Sequence, residues 1–488
     1  MILLRPFTAA LVGCLAACVG AAAEERGVVV RPCPAGAVQV EPGRRVQDEV
    51  DRALAGAAFC LKDGVHRMQV VRPKAGQRFY GEGGAVLNGA RLLSELEREG
   101  SYFVAEIPEG GRWRPRGECT KQAPGCDLPQ ALFFDDRPLV PVSRKEAVTP
   151  GHFFFDQLGR RMYFVDDPAG RKVEAAVAQF AFGGTAPRVE VHNLAIEKYA
   201  SVPQEGAIQA QQAADWTIEN CEVRLNSAGG IAAGRGTRVR NCNVHHNGQI
   251  GVTGAGEDIL IENNLVRVNN TRGYNDGWEA GGVKIALGAR VVFRGNHVNE
   301  NSGPALWCDG DCRDTLYENN VVQHNQGAGI YHEISFDAVI RNNLLADNGL
   351  KQGWFWGSQI LVAASEGVDV HDNTLVVPPG KCGIMLIDQG RDDRSEIRAS
   401  ALYKTRNNFV HDNDILFEGD GCAGGVSDVT PGHENYRIIE SGNNRFDWNV
   451  YRMPRAGGRH VFVWGRLESD WDTVRRSGFE RNGRLVPY

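Results

Sequence analysis

Beyond its first two dozen residues the chain has no apolar run long enough to cross a bilayer, which argues against a membrane-spanning body. Excess positive charge is also missing. There are 54 Lys and Arg against 60 Asp and Glu, a formal net charge of −6, so the basic footprint of a nucleic-acid partner is absent. No histidine falls at ligand spacing beside the cysteine pairs, which disfavours a zinc site. What is plentiful is glycine, 59 residues, with many Asn-containing turns. That composition suits a chain that changes direction every few residues.

The opening MILLRPFTAALVGCLAACVGAAAEERG carries one Arg, an apolar stretch and a small-residue end at Ala21-Ala22-Ala23. It reads as a signal peptide over residues 1–23 and implies export to the periplasm or beyond. LVGC and LAAC resemble lipoprotein boxes, so anchoring through Cys14 or Cys18 is the alternative to a free protein. Removing both leaves ten of the 12 cysteines, an even number that suits disulfides in an oxidising compartment. CTKQAPGC (119–126) and CDGDC (308–312) are each short enough to be stapled loops. Cys221 and Cys242 share a repeat position and could instead be stacked core thiols.

One short phrase keeps returning. TIENCEV (217–223), RVRNCNV (238–244), LIENNLV (260–266), VFRGNHV (292–298), LYENNVV (316–322) and VIRNNLL (339–345) align, followed by VDVHDNTL (368–375) and VHDNDIL (410–416). The markers are Cys221, Cys242, Asn264, Asn296, Asn320, Asn343, Asn373, Asn413 and Asn449. The closest stand about 21–24 residues apart, a period with strand chemistry whose units bury their apolar faces only by stacking. The expected fold is all-β, a right-handed parallel β-helix. The asparagines are expected to form a structural ladder of stacked amides.

Residues 24–91 read as an N-terminal cap and first coils, with a helix in RRVQDEVDRALAGA placing Val46, Val50, Ala53 and Leu54 on one face. Across 92–185 the repeat vanishes, and YFVAEI, ALFFDD and MYFVDD alternate at period two, as in an inserted antiparallel β-subdomain. Residues 186–451 are the repeat domain, and 452–488 a strand-and-helix cap. Three coils are enlarged, by 269–282, 348–358 and 388–404, and two of these loops carry tryptophans. Long loops on a solenoid commonly project from its binding face.

Counting back from the markers stacks Lys284, Trp307 and Tyr331 in one row and Ala286, Asp309 and Glu333 in another. Val283, Leu306 and Ile330 point inward, so by alternation both rows face outward. Asp309 and Glu333 then become neighbouring carboxylates on successive coils, where mutual repulsion raises one pKa. Glu279 and Asp276 overhang them from the long loop. Such a pair can supply the acid and nucleophile of a glycosidase, with Glu279 as a loop-borne acid/base. Alternatively, with Glu279 it could hold Ca²⁺, although no metal is required. Lys284, Trp307, Tyr331, Trp278 and Asp276 are the expected substrate-binding groups. His332 is kept among them, although alternation points its ring into the coil.

GPALWCDGDCRDTLYENNVVQHNQGAGIYHEISFDAVIRNN (303–343) and the repeat over 186–451 resemble the right-handed parallel β-helix proteins of the pectate-lyase-like superfamily. GEGGAVLNGA (81–90) followed by an insert looks like β-helix glycoside hydrolases. The resemblance implies a carbohydrate-active protein acting on a polysaccharide, and a monomer. Hydrolase, polysaccharide lyase and non-catalytic glycan binder stay open, because neither a DPHD epimerase signature nor a polygalacturonase motif set is present. In the lyase reading Lys284, Tyr331 or His332 would abstract the C5 proton of a uronate.

Overall fold

A computed structural model describes residues 31–109, 117–391, 403–454, 460–465 and 467–488. The expected signal peptide, with Cys14 and Cys18, and most of the 388–404 loop lie outside them.

The chain winds as a right-handed parallel β-helix with three strands to each coil. The first sheet has 13 strands, from Val38–Val40 to Arg445–Asp447, and the second 13, from Gly64–Arg67 to Arg484–Pro487. The third has 12, from Phe182–Gly183 to Leu467–Ser469, and only its final pair is antiparallel. Inward Val, Ile, Leu and Phe from all three sheets form one continuous core along the axis.

The repeating phrase has a backbone cause. The residue before each marker is left-handed: Asn220, Asn241, Asn263, Asn319 and Asn342 have φ of 55°, 53°, 56°, 57° and 55°. Asn and Gly tolerate that conformation best, which explains the recurring Asn-Asn, Asn-Cys and Gly-Asn pairs. The marker amide then bridges coils. Asn320 Oδ1 accepts from the backbone N and Nδ2 of Asn296, both at 3.0 Å, while its Nδ2 donates to Asn343 Oδ1 at 2.9 Å. The column ends on Glu480, which accepts from Asn449 Nδ2 at 2.6 Å and Tyr451 Oη at 2.8 Å. A second column, Asn226, Asn247, Asn269, Asn301, Asn325 and Asn348, runs at the next corner and ends on Gln359. The sequence reading did not anticipate it. Its left-handed residues are Leu225, His246, Val268, Glu300, His324 and Asp347, which share no side-chain chemistry.

The insert is a pair of small sheets of four and five strands, antiparallel except where Val140–Val142 runs beside His152–Asp156. It has its own core around Leu132, Phe134, Phe153 and Phe164. Lys198, fully buried on the solenoid, pairs with Glu174 and Asp136 of the insert, and Arg67 reaches Glu174 at 2.7 Å.

The N-terminal helix is shorter than expected. It spans Val46–Arg52 and buries Val46 and Val50, but Ala53 is already extended at ψ 155° and Leu54 is 83% exposed. Gly56, at φ +76°, turns the chain toward the first coil instead.

Cysteine pairing also departs in part. Cys119–Cys126 is a disulfide as expected, and Cys33–Cys60 and Cys382–Cys422 are two more. Cys308 and Cys312 are free and buried, so CDGDC is not a staple. Cys308 points into the core from strand Leu306–Asp309, beside Thr315 Oγ1 at 3.7 Å, while Cys312 Sγ turns to the Ile285 carbonyl at 3.4 Å. Cys221 and Cys242 are likewise buried free thiols.

Candidate functional site

Three consecutive strands of the third sheet, Gly281–Ala289, Leu306–Asp309 and Ile330–Glu333, carry the expected rows in register. Lys284 pairs with Trp307 and then Tyr331, and Ala286 with Asp309 and then Glu333. Val283, Leu306 and Ile330 lie in the solenoid core, so the two rows do face outward.

Outward does not mean exposed. Trp307 and Tyr331 join Leu361, Met385 and Val463 in a second apolar cluster, which Phe355 of the 348–358 loop covers. Trp307 is 2% exposed, with its ring stacked on Tyr331 at 5.2 Å and Lys284 Nζ 3.7 Å from its centroid. It therefore cannot serve as the expected sugar platform; both of its faces are occupied. It supports the site from below.

Lys284 is the hub. Its side chain is 3% exposed, and its Nζ lies 2.7 Å from Asp309 Oδ2 and 3.1 Å from Glu279 Oε1. The same Nζ donates to the Trp278 carbonyl at 2.6 Å, tying the 269–282 loop to the sheet. Trp278 thus contributes through its backbone, its ring being half-buried. Asp309 Oδ1 is buried and has no hydrogen-bond partner among the described residues.

Glu333 sits in a different environment. Its Oε1 accepts from Gln389 Nε2 at 2.9 Å and from Arg391 Nη2 at 3.3 Å. Burial and then the charge of Asp309 push its carboxyl above the ordinary range, against the pull of Gln389, Tyr331 and Arg391. Glu279 is also raised, chiefly by burial, with Lys284 opposing. Burial, then Glu333, lifts the Tyr331 phenol well above its usual value. Gln389 and Arg391 were missed by the sequence reading. Extending the row Glu333, Ala363, Ile387 by two coils leads to the strand end that presents them.

A cleft of about 410 Å³ opens at the Glu333 side of this group, lined by Asp276, Tyr331, Glu333, Trp356, Gln389 and Arg391 among others, while Lys284, Asp309 and Glu279 lie outside its lining. His332 is not part of it. It is fully buried in the solenoid, its Nδ1 lies 3.3 Å from Tyr317 Oη, and burial pushes its pKa down to about 3. The structure thus removes His332 and the enclosed Trp307 ring from the substrate-binding set; Asp276, Tyr331 and Glu333 line the cleft, and Lys284, Asp309 and Glu279 form an ion-paired group beside it. Among the described residues no three His, Cys, Asp or Glu side chains converge as a metal site. Lys284 already fills the space between Glu279 and Asp309 that a cation would need.

Comparison with known families and structures gives the fold a wider setting. The family model described as the right handed beta helix region matches residues 206–392. A solved structure of XylC in complex with xylose superposes with a TM-score of 0.65 at 14% identity, covering 91% of this chain and 82% of that one. The A-module of the mannuronan C-5 epimerase AlgE6 from Azotobacter vinelandii gives a TM-score of 0.45 at 14% identity, over 91% and 93% of the two chains. No curated protein sequence matched. No helix among the described residues is long and apolar enough to cross a membrane.

Proposed function

We propose that this right-handed parallel β-helix protein is an exported carbohydrate-active enzyme that hydrolyses glycosidic bonds in a glycan, with Asp309 and Glu333 as its carboxylate pair. The observation that carries the reading is the contrast between the two acids. They are register partners on adjacent coils, yet Asp309 has the Lys284 ammonium at 2.7 Å while Glu333 is buried and held protonated to higher pH. Paired carboxyls whose environments differ in this way divide into acid and base roles.

In this mechanism Glu333 gives its proton to the glycosidic oxygen as the bond to the leaving sugar breaks. Asp309, one oxygen of which is held by Lys284, attacks the anomeric carbon and forms a glycosyl ester. Glu333, now ionised, takes a proton from water; the water oxygen displaces Asp309, and both carboxyls return to their starting states. Glu279 shares the Lys284 charge and limits how far Asp309 is neutralised. Asp276 and Tyr331 line the cleft as sugar contacts.

The lyase alternative has less support because each candidate base is otherwise engaged. His332 faces the core, Lys284 sits between two carboxylates, and the Tyr331 phenol is raised well above its ordinary value. The test is mass spectrometry of products from neutral and uronate glycans. Fragments carrying an added water are expected. Unsaturated fragments would replace the hydrolase by a lyase, and no fragments from a glycan that binds would leave a non-catalytic binder.

A further inference from the structure

A second pocket, of about 340 Å³, lies on the same outer face of the third sheet, nearer the C-terminal end. The short 3-10 turn Trp354–Trp356 separates it from the cleft. Trp356 lines the cleft, while Trp354 and Phe355 line the second pocket. The two are in line. The row that holds Asp309 and Glu333 continues through Ala363 and Ile387 to Val426 and Gly465, which form part of the second pocket's floor. From Glu333 to Val426 is three strand spacings, about 14 Å along the axis.

The wall of this second pocket has the chemistry of a sugar site. Trp354 is 50% exposed and is held in the left-handed region at φ 51°, a conformation that a bulky side chain rarely adopts. The lining also includes Ser427, Asp428, Thr430 and Glu468, which offer hydroxyls and acceptor oxygens. Among the described residues lining it there is no Lys, Arg or His. An occupant with its own negative charge would meet two carboxylates and no counter-charge among the described lining residues; an occupant rich in hydroxyl donors would be matched.

We infer that this pocket is a distal subsite for a neutral oligosaccharide, whose reacting end lies in the cleft and whose chain crosses over the Trp354–Trp356 turn. The inference rests on the proposed glycan-cleaving reading and specifies the substrate: uncharged, and long enough to span both pockets. One ring cannot touch Glu333 and the second pocket together at that separation, so occupancy of both requires a chain. Trp354 stacks against a sugar face at the crossing, and Glu468 and Asp428 accept from ring hydroxyls beyond it.

The experiment is titration calorimetry with two neutral ladders, xylobiose to xylohexaose and cellobiose to cellohexaose, and with oligogalacturonates of matching length. Proteins are the Glu333→Gln chain, alone and with Trp354→Ala or Glu468→Gln added. The expected result is an affinity for at least one neutral ladder that rises by about tenfold once the chain is long enough to pass the turn. Either added substitution removes that gain and leaves the shortest bound member unchanged. Affinity independent of length, a gain that survives both substitutions, or no binding of either neutral ladder would overturn the subsite. An equal Trp354-dependent gain for oligogalacturonates would overturn the assignment to neutral sugars. Because binding needs no turnover, the two proposals fail separately. Trp354-dependent gain without cleavage by the unmodified protein sinks the hydrolase alone, whereas cleavage with flat affinity sinks the subsite alone.

Discussion

At the scale of single residues, the division of labour between two acids is the part most open to experiment. Glu333→Gln keeps the shape and the hydrogen bond from Gln389 but has no proton to give, so turnover should fall by about 10³-fold with the fold intact. Unchanged activity, with an unchanged circular dichroism spectrum, would remove Glu333 from the mechanism. The pH profile follows from the same group. A general acid must be protonated, so the rate should decline on the alkaline side as pH passes the raised Glu333 pKa. Gln389 donates to the ionised form and thereby lowers that pKa. Gln389→Leu should move the alkaline limb to higher pH, a displacement that a purely structural role for Gln389 would not produce. His332 and Trp307 show where residue-level reading of sequence stops. Alternation gave each its correct side of the strand, but only the packed loops reveal that the outward Trp307 is enclosed.

At the scale of elements, the asparagine columns clamp the coils together, and their cost of removal is calculable in kind. Asn320→Ala deletes the acceptor for two donors of Asn296 and both donations of its own Nδ2, to Asn343 and to the Phe293 carbonyl. With each orphaned buried group costing about 1–3 kcal/mol, denaturant unfolding should show a loss of about 4 kcal/mol. The terminal Glu480 makes the same column sensitive to pH. Burial raises its pKa from 4.5 to about 7, so the folded state binds the proton more tightly than the unfolded chain. Its contribution is therefore complete below pH ~4.5 and is lost as pH rises through about 7, to a total of about 3 kcal/mol. Glu480→Gln should abolish that part of the pH dependence between pH 5 and 8, as read by chemical denaturation. The first column was legible because its left-handed residue is usually Asn, Asp or Gly; the second was not, because that position holds Leu, His, Val and Glu, with a single Asp at 347. Cys119–Cys126 was legible as a local loop. Cys382–Cys422 joins register partners on successive coils 40 residues apart, a pairing that depends on knowing the strand register first.

At the scale of the whole molecule, the insert and the solenoid are joined by buried charge. Glu174 is fully buried, but hydrogen bonds from Lys198 and Arg67 outweigh that burial and hold its carboxyl low. Lys198→Met leaves Glu174 with Arg67 and the more distant Lys172 at 3.7 Å, and the loss of one partner of a buried pair should cost about 3 kcal/mol. Amide exchange should then quicken in residues 131–176 while the coils beyond Asn264 stay protected. Uniform quickening along the chain would mean that the insert and solenoid unfold as one unit. The general architecture was readable because a stacked repeat writes its register into the sequence every coil. The overhang of the 269–282 loop was legible from its length, but not that its Trp278 carbonyl closes on Lys284 or that Phe355 of 348–358 packs over Trp307, since neither loop has a period to read.

A sheet with fixed strand spacing also works as a ruler. Strand backbones on this face are spaced by whole multiples of about 4.8 Å, one step for Asp309 and Glu333 and two, about 9.6 Å, for Asp309 and position 363. One step suits direct attack on the sugar, and two leave room for an intervening water. In the proposed hydrolase, counting coils therefore predicts a retained anomeric configuration, which proton magnetic resonance of the first-formed product would check.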